Sequence, residues 1–152
     1  MEEGETPLRE LPVVAEGETP RGERWYLRAG GSPEAYDSML VTVHADGRRD
    51  QGGMGGPALY PGDLLNVYVG RADQGPLRVV VRTDPRVQRL RLLSESGAQC
   101  DMLAPAAHDP AAGVNLFAVL LPWTTGVTLM EGLDADDQVL ASRAPRNPPS
   151  LT

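Results

Sequence analysis

The chain lacks lysine and isoleucine altogether, and its 152 residues include one cysteine and one phenylalanine. Without lysine there is no Schiff-base nucleophile, no lysine general base and no P-loop cation, which excludes a large set of enzyme classes. The single Cys100 leaves no disulfide to staple the fold. A chain of this size buries about 70% of its unfolded surface, so a hydrophobic core can hold it together.

Positive charge and long apolar runs are also scarce. All 14 basic residues are arginine, and 21 acidic residues outnumber them, so the net charge is −7. Nucleic acids and anionic membranes both select cationic surfaces, so we expect neither as a partner. The longest apolar run, residues 116–121, is far shorter than the ~20 residues that span a bilayer, and Met1 is followed by two glutamates rather than by basic residues. We therefore expect no membrane insertion and a cytoplasmic location.

The N-terminal 23 residues differ in composition from the rest of the chain. They hold seven glutamates, two arginines and three prolines, which predicts a flexible acidic arm over residues 1–23. Glu-Gly-Glu-Thr-Pro occurs at residues 3–7 and again at 16–20, either as a duplicated docking motif or as coincidence in a low-complexity segment. The apolar residues 11–15 between the copies could add as an edge strand, to this protein's own sheet or to a neighbour's. The proline-rich residues 145–152 predict a disordered tail.

Residues 24–144 have the pattern of short strands separated by turns. Apolar residues recur with a period of two, and turn residues return about every ten to twelve positions. No apolar helical spacing persists without a glycine or proline, so we expect little or no helix beyond a short turn near residues 32–35. The pattern predicts one all-β domain, a two-layer antiparallel β-sandwich of immunoglobulin-like or jelly-roll-like type with about 7–9 short strands.

A set of arginines is the first candidate binding feature. Residues 77–82 and 87–93 are separated by four residues and predict a hairpin. A period of two then places four guanidinium groups on one sheet face, joined by a fifth in the turn: Arg78, Arg82, Arg89 and Arg91, with Arg86. Such a face suits carboxylate or phosphate groups, which accept bidentate contacts from arginine. It is either a solvated outer face or a docking site for an acidic segment, from the arm of this or a neighbouring copy or from another protein.

Aromatic side chains form a second candidate site. Trp25, Tyr68 and Trp123 would make a sugar-binding platform if they were exposed and coplanar. With so few large rings in the chain, packing into the core is the competing interpretation.

No catalytic or metal-binding constellation is predicted. His44, His108 and Cys100 are the classical base and nucleophile candidates, and no motif places them together. The glycine-rich residues 52–56 lack the Gly-Lys-Ser/Thr ending of a phosphate loop and indicate a mobile inter-strand loop. Asp134, Asp136 and Asp137 lack the spacing of an EF-hand and indicate a hairpin turn. We therefore expect no cofactor and no metal.

Three strand and turn signatures carry a family resemblance. They are Val-Tyr-Val-Gly at residues 67–70, Leu-Phe-Ala-Val-Leu-Leu-Pro at 116–122, and the closing hairpin at 132–141. With these, residues 65–142 resemble small β-sandwich domains that are common in high-GC actinobacterial proteins of uncharacterised function. The resemblance implies a sandwich fold and supplies no catalytic residues.

These features together predict a non-catalytic module for protein interaction or assembly. It would act through its sheet faces, its edge strands and the acidic arm, with a protein partner or by self-association. One alternative is a structural subunit of a larger particle, such as a virion or sheath component. The other is a small-molecule or carbohydrate-binding domain, whose pocket would be lined by the aromatic candidates near His44 or His108.

Overall fold

The computed structural model describes residues 11–71, 75–122 and 124–145. This part of the chain forms twelve β-strands and no helix. In chain order the strands are β1 (Val13–Glu18), β2 (Arg24–Gly31), β3 (Tyr36–Val43), β4 (Arg49–Met54), β5 (Leu65–Arg71), β6 (Leu77–Thr83), β7 (Arg89–Ser94), β8 (Gln99–Leu103), β9 (Ala107–Asp109), β10 (Val114–Leu121), β11 (Val127–Leu133) and β12 (Val139–Arg143). Across the described ranges, no helix has the length and hydrophobicity to cross a membrane.

The strands form three antiparallel sheets of four strands each. The N-terminal sheet has the order β1-β2-β3-β4, the central sheet β5-β6-β10-β9, and the distal sheet β12-β11-β7-β8. The predicted all-β, sandwich-like fold is confirmed, although the strands outnumber the 7–9 expected. Part of the difference is β4, because Gly52 and Gly53 lie in this strand and not in a mobile loop as predicted. The predicted turn at Asp134 is confirmed, since it joins β11 to β12.

Two hydrophobic cores lie on opposite faces of the central sheet. The core shared with the distal sheet contains Leu65, Leu77, Val79, Val81, Val87, Leu90, Leu92, Phe117, Leu121, Val127 and Met130. The core shared with the N-terminal sheet contains Leu27, Ala29, Tyr36, Leu40, Ala58, Val80, Val114, Leu116, Ala118 and Leu120. The central sheet is therefore covered on both faces, and the molecule has three layers where the sequence analysis expected two.

The central strands carry the sequence signature of this double burial. All seven residues of β6 are buried, and β10 is Val-Asn-Leu-Phe-Ala-Val-Leu-Leu, an almost unbroken apolar run. A strand in which apolar and polar residues alternate has one face exposed to solvent, whereas a strand that is covered on both faces has a nearly continuous apolar sequence. The predicted hairpin of residues 77–82 with 87–93 is wrong, because β6 belongs to the central sheet and β7 to the distal sheet.

The second half of the predicted acidic arm contains a strand. β1 pairs antiparallel with β2, Leu11 is buried, and the Ala29 N–H donates to the Pro12 carbonyl at 3.2 Å. The apolar residues 11–15 therefore add to the protein's own sheet, which is one of the two alternatives left open by the sequence. Residues 1–10 of the predicted arm and residues 146–152 of the predicted tail lie outside the described residues.

Substitutions on the two faces of β10 test the three-layer arrangement. Leu116 faces the N-terminal sheet and Phe117 faces the distal sheet, and both are fully buried. We expect Leu116→Ala to lower the free energy of unfolding by about 2–5 kcal/mol and Phe117→Ala by about 3–5 kcal/mol in chemical denaturation, because each leaves a cavity. Val139→Ala, at a site 52% exposed, is the control. A Leu116→Ala effect as small as the control would contradict the third layer.

Candidate functional site

The five arginines of the predicted basic face do not lie together. Arg78 and Arg82 on β6 point into the space between the central and N-terminal sheets and are 6% and 0% exposed. Arg89 and Arg91 on β7 lie on the outer side of the distal sheet, opposite the buried Leu90 and Leu92. The expectation of one shared face is wrong because it assumed the hairpin. A period of two on β6 instead directs its arginines toward the N-terminal sheet.

The other three arginines of the predicted basic face each have a carboxylate partner. The ion pairs are Arg86 Nε to Asp84 Oδ1 at 2.9 Å, Arg89 Nη1 to Asp137 Oδ1 at 3.1 Å, and Arg91 Nε to Glu131 Oε1 at 3.3 Å. Ion pairs at the protein surface contribute little to stability. They locally neutralise the charge that the predicted face would have offered to an acidic partner.

The Arg82 guanidinium is a buried tie between the central and N-terminal sheets. Nη1 donates to the Tyr36 carbonyl at 3.0 Å, while Nη2 donates to the carbonyls of Met54 at 3.0 Å and Gly55 at 2.8 Å. Its Cζ lies 5.2 Å from the centre of the Tyr36 ring, a cation–π distance. Burial lowers the pKa of Arg82 to about 10, so the group stays charged at neutral pH. Arg82 therefore fixes the start of β3 and the end of β4 over the central sheet.

Tyr36 extends this tie to a fourth strand. Its hydroxyl donates to Asp109 Oδ2 on β9 at 2.6 Å. Burial of the ring, together with this hydrogen bond to a carboxylate, raises the pKa of Tyr36. The hydroxyl therefore stays protonated and keeps its role as a donor at neutral pH.

A second polar cluster lies between the same two sheets, and we call it the Asp50 cluster. Asp50 Oδ1 accepts from Arg78 Nη1 at 2.5 Å, and Asp50 Oδ2 lies 2.6 Å from His44 Nε2. Gly52, two residues along β4, leaves room for the neighbouring side chains, since a Cβ there would lie 2.9 Å from Arg78 Nε and closer still to the Tyr68 hydroxyl. The cluster thus joins His44, Asp50 and Arg78, and the Tyr68 hydroxyl lies beside it at Gly52.

The other base and nucleophile candidates lie away from this cluster. His108 is on β9, where its Nδ1 lies 2.8 Å from Asn115 Oδ1, and Cys100 is on β8 in the distal sheet. Burial, with the nearby charge of Asp101, raises the pKa of the Cys100 thiol, so the thiol is protonated at neutral pH. Among the described residues, no group of three or more His, Cys, Asp or Glu side chains could hold a metal ion.

The aromatic candidates occupy separate places. Trp25 is half-buried against the core shared by the N-terminal and central sheets, with its indole over Gly17, where a Cβ would lie 2.6 Å from Cζ2. Tyr68 is half-buried in the Asp50 cluster, and Trp123 lies outside the described residues. Trp25 and Tyr68 therefore do not form a shared exposed platform.

The solvent-facing side of the N-terminal sheet presents a feature that the sequence analysis did not single out. Strand pairing places four residues in one row across the sheet, Glu18, Arg24, Val43 and Arg49, and four in the next row, Glu16, Tyr26, Val41 and Gln51. Most of them line a groove of about 320 Å³, which we call the outer groove. The sequence shows Arg24, Tyr26 and Arg28 at alternate positions along β2. The place of Arg24 and Tyr26 in a groove with Glu18 and Arg49 follows from the strand order β1-β2-β3-β4.

The arginines of the outer face differ from those of the predicted basic face. Within the described ranges, Arg24, Arg28 and Arg49 have no carboxylate within 4.0 Å. Arg49 Nη1 donates to the Tyr26 hydroxyl at 3.1 Å, and Arg28 Cζ lies 5.4 Å from the centre of the Tyr26 ring. Tyr26 is therefore held between two guanidinium groups whose charge is not neutralised by a neighbouring carboxylate.

The charge of this face changes sign from one side to the other. Glu16 and Glu18 lie on the edge strand β1, whereas Arg49 lies on the opposite edge strand β4. Between them, Tyr26 and the buried Val41 and Val43 make a less polar floor. The face can thus offer donors and acceptors to a partner at separate positions.

Comparison with known proteins adds no relative to this description. The chain matches no family model, no curated protein and no solved structure. The resemblance to actinobacterial β-sandwich domains therefore stays a prediction.

Replacing Arg82 tests whether its hydrogen bonds hold the central and N-terminal sheets together. Arg82→Leu removes the donor of one buried hydrogen bond, to the Tyr36 carbonyl, and of two part-buried ones, to Met54 and Gly55, and leaving a buried acceptor unpaired costs about 1–3 kcal/mol. We expect the free energy of unfolding to fall by about 2–5 kcal/mol in urea denaturation. Arg89→Leu, which breaks an exposed ion pair, should change it by less than about 1 kcal/mol. Equal effects of the two substitutions would contradict the assignment.

The turn after β6 predicts a specific response to acid. The side-chain hydrogen bond from Arg86 lowers the pKa of Asp84. A carboxyl whose pKa is lower in the folded chain contributes stability above its unfolded pKa, about 4, and that stability is lost as pH falls through the folded pKa. Asp84→Asn should therefore lower the urea midpoint at neutral pH and have little effect at about pH 2. Arg86→Gln should remove the same part of the pH dependence, and parallel curves for wild type and Asp84→Asn would refute this assignment.

Proposed function

We propose that this protein is a non-catalytic interaction module whose docking face is the outer groove of the N-terminal sheet. The main support is the contrast between two sets of arginines. Within the described residues, Arg24, Arg28 and Arg49 have no carboxylate partner, whereas the arginines on the distal sheet are paired with one each. Arg28 donates to the Leu11 carbonyl and Arg49 to the Tyr26 hydroxyl, but a guanidinium without an internal carboxylate keeps its charge and its remaining donors for a carboxylate of another molecule.

The other residues of the groove suit a protein partner. Tyrosine and arginine are enriched where protein interfaces bind most strongly, because both combine a large contact area with directed hydrogen bonds. Tyr26 is already oriented by Arg28 and Arg49. A partner therefore meets a ring whose conformational freedom is reduced before binding, which lowers the entropy cost of association.

Three edge strands, β1, β8 and β12, are less suited to docking than this face. The ladders β1–β2, β7–β8 and β11–β12 each contain a register irregularity, and β1, β8 and β12 are edge strands. Bulges of this kind disturb the row of free backbone groups that an added strand would need. We therefore place the interaction on the sheet face and not on these edges. The cytoplasmic location and the alternative of a virion or sheath subunit stay predictions.

An acidic peptide provides a direct test of the docking face. We expect an octaglutamate peptide at low salt to shift the backbone NMR signals of β2 and β4, because its carboxylates can pair with Arg24 and Arg49. The double variant Arg24→Ala, Arg49→Ala should weaken binding at least fivefold, whereas Arg89→Ala, Arg91→Ala should leave it unchanged.

An octaglutamine peptide is the control for charge and should not bind. The proposal fails if octaglutamate does not bind at millimolar concentration. It also fails if the shifts map to the distal sheet, or if the Arg24→Ala, Arg49→Ala variant binds as tightly as the wild type.

A further inference from the structure

We infer that the partner that fits the outer groove is a second copy of this chain, docked face to face about a two-fold axis parallel to the strands. The inference rests on the proposed function, since it names the partner of the same face. It follows from the positions of the charges across the N-terminal sheet.

The first step is the order of charges within one row. Glu18 on β1 lies opposite Arg24 on β2, Arg24 lies opposite Val43 on β3, and Val43 lies opposite Arg49 on β4. Paired residues of neighbouring antiparallel strands have side chains on the same face, and the strands are about 4.8 Å apart. Glu18 and Arg49 are therefore separated by about 14 Å along one row, with an acidic group at one end and a basic group at the other.

The second step is the symmetry that this order permits. A two-fold axis in the contact plane, running between β2 and β3 and parallel to them, places β1 of each copy over β4 of the other. Glu18 of each copy then faces Arg49 of the second copy, and the pair occurs twice. Such an isologous interface needs a surface that is complementary to itself. The row has this property at its two ends, where Glu18 and Arg49 lie, while Arg24 of each copy lies over Val43 of the other.

The neighbouring row supports the same arrangement. The axis that pairs Glu18 with Arg49 also places Tyr26 on β2 over Val41 on β3 of the second copy, so the aromatic ring meets an apolar position. Packed sheets lie about 10 Å apart, a gap that a glutamate and an arginine side chain can bridge together. The row of Tyr26 and Val41 therefore contributes apolar contact near the axis, and the row of Glu18 and Arg49 contributes charged pairs at both sides, which agrees with the usual plan of a protein interface.

The charges also exclude the other in-plane two-fold axis. An axis perpendicular to the strands would place β1 over β1 and β4 over β4. Glu16 and Glu18 would then meet the acidic strand of the second copy, and Arg49 would meet its basic strand. Like charges at an interface oppose association. The sign change across the face therefore selects the axis parallel to the strands.

Charge reversal tests this pairing by sedimentation velocity at concentrations up to about 1 mM, the range of a weak interface. The wild type should self-associate, and added salt should weaken the association because exposed charges are screened. Glu18→Arg alone and Arg49→Glu alone should each weaken it at least tenfold, because each leaves like charges opposed. Mixing the two variants should restore a complex. The introduced arginine of one chain would then face the introduced glutamate of the other, and the native Glu18 and Arg49 would pair at the second site.

Arg89→Glu, on the outer face of the distal sheet, is the matched control and should leave self-association unchanged. Thermal unfolding of each variant checks that it is folded. The inference is overturned if the wild type stays monomeric, or if the mixture associates no better than its components. If octaglutamate binds the groove and the chain is monomeric, the docking face stands and the second copy is wrong. If neither associates, both proposals fail.

Discussion

Arg82 carries a charge at a position with no solvent-exposed surface, and the relation between the sheets depends on how that charge is satisfied. Removing a guanidinium from water is costly unless its donors find acceptors. Here the acceptors are three backbone carbonyls at the ends of β3 and β4. Because those carbonyls belong to the N-terminal sheet and Arg82 belongs to the central sheet, the three hydrogen bonds form when the two sheets are in one relative position. The second arginine of β6, Arg78, forms an ion pair with the side chain of Asp50 on the same N-terminal sheet.

The inner ties also position the outer face. Asp50 points inward to Arg78 and His44, and its neighbour Arg49 on β4 points outward to the Tyr26 hydroxyl. Fixing one residue of a strand from the inside fixes the direction of the next side chain on the outside, because successive side chains alternate. The buried cluster and the proposed docking face are therefore two sides of the same strand. This is the physical link between the core and the function that we propose.

The sequence is sufficient to predict the fold class, because apolar and polar residues alternate along its strands and turn-forming residues separate one strand from the next. The sequence is not sufficient to predict the third layer. The apolar runs of β6 and β10 fit a strand with one solvated face whose alternation is imperfect, and they fit equally a strand that is covered on both faces. The prediction that five arginines share one face is wrong for a related reason. The period of two correctly placed Arg78 and Arg82 on one side of β6, but the sheet that covers that side could not be identified. The outer groove requires β1 and β4, whereas the sequence predicts a flexible arm over β1 and a glycine-rich loop from residue 52 onward, which includes the end of β4.

The environment of the Arg82 side chain is the most direct test of this account, and NMR of the guanidinium hydrogens measures it. We expect the Nη hydrogens of Arg82 to exchange slowly with water near neutral pH and to show nuclear Overhauser contacts to Tyr36 and Gly55. The exposed Arg89 should exchange rapidly under the same conditions. If Arg82 exchanges as fast as Arg89 and shows no contact to the N-terminal sheet, the buried charge does not join the two sheets and the account is contradicted.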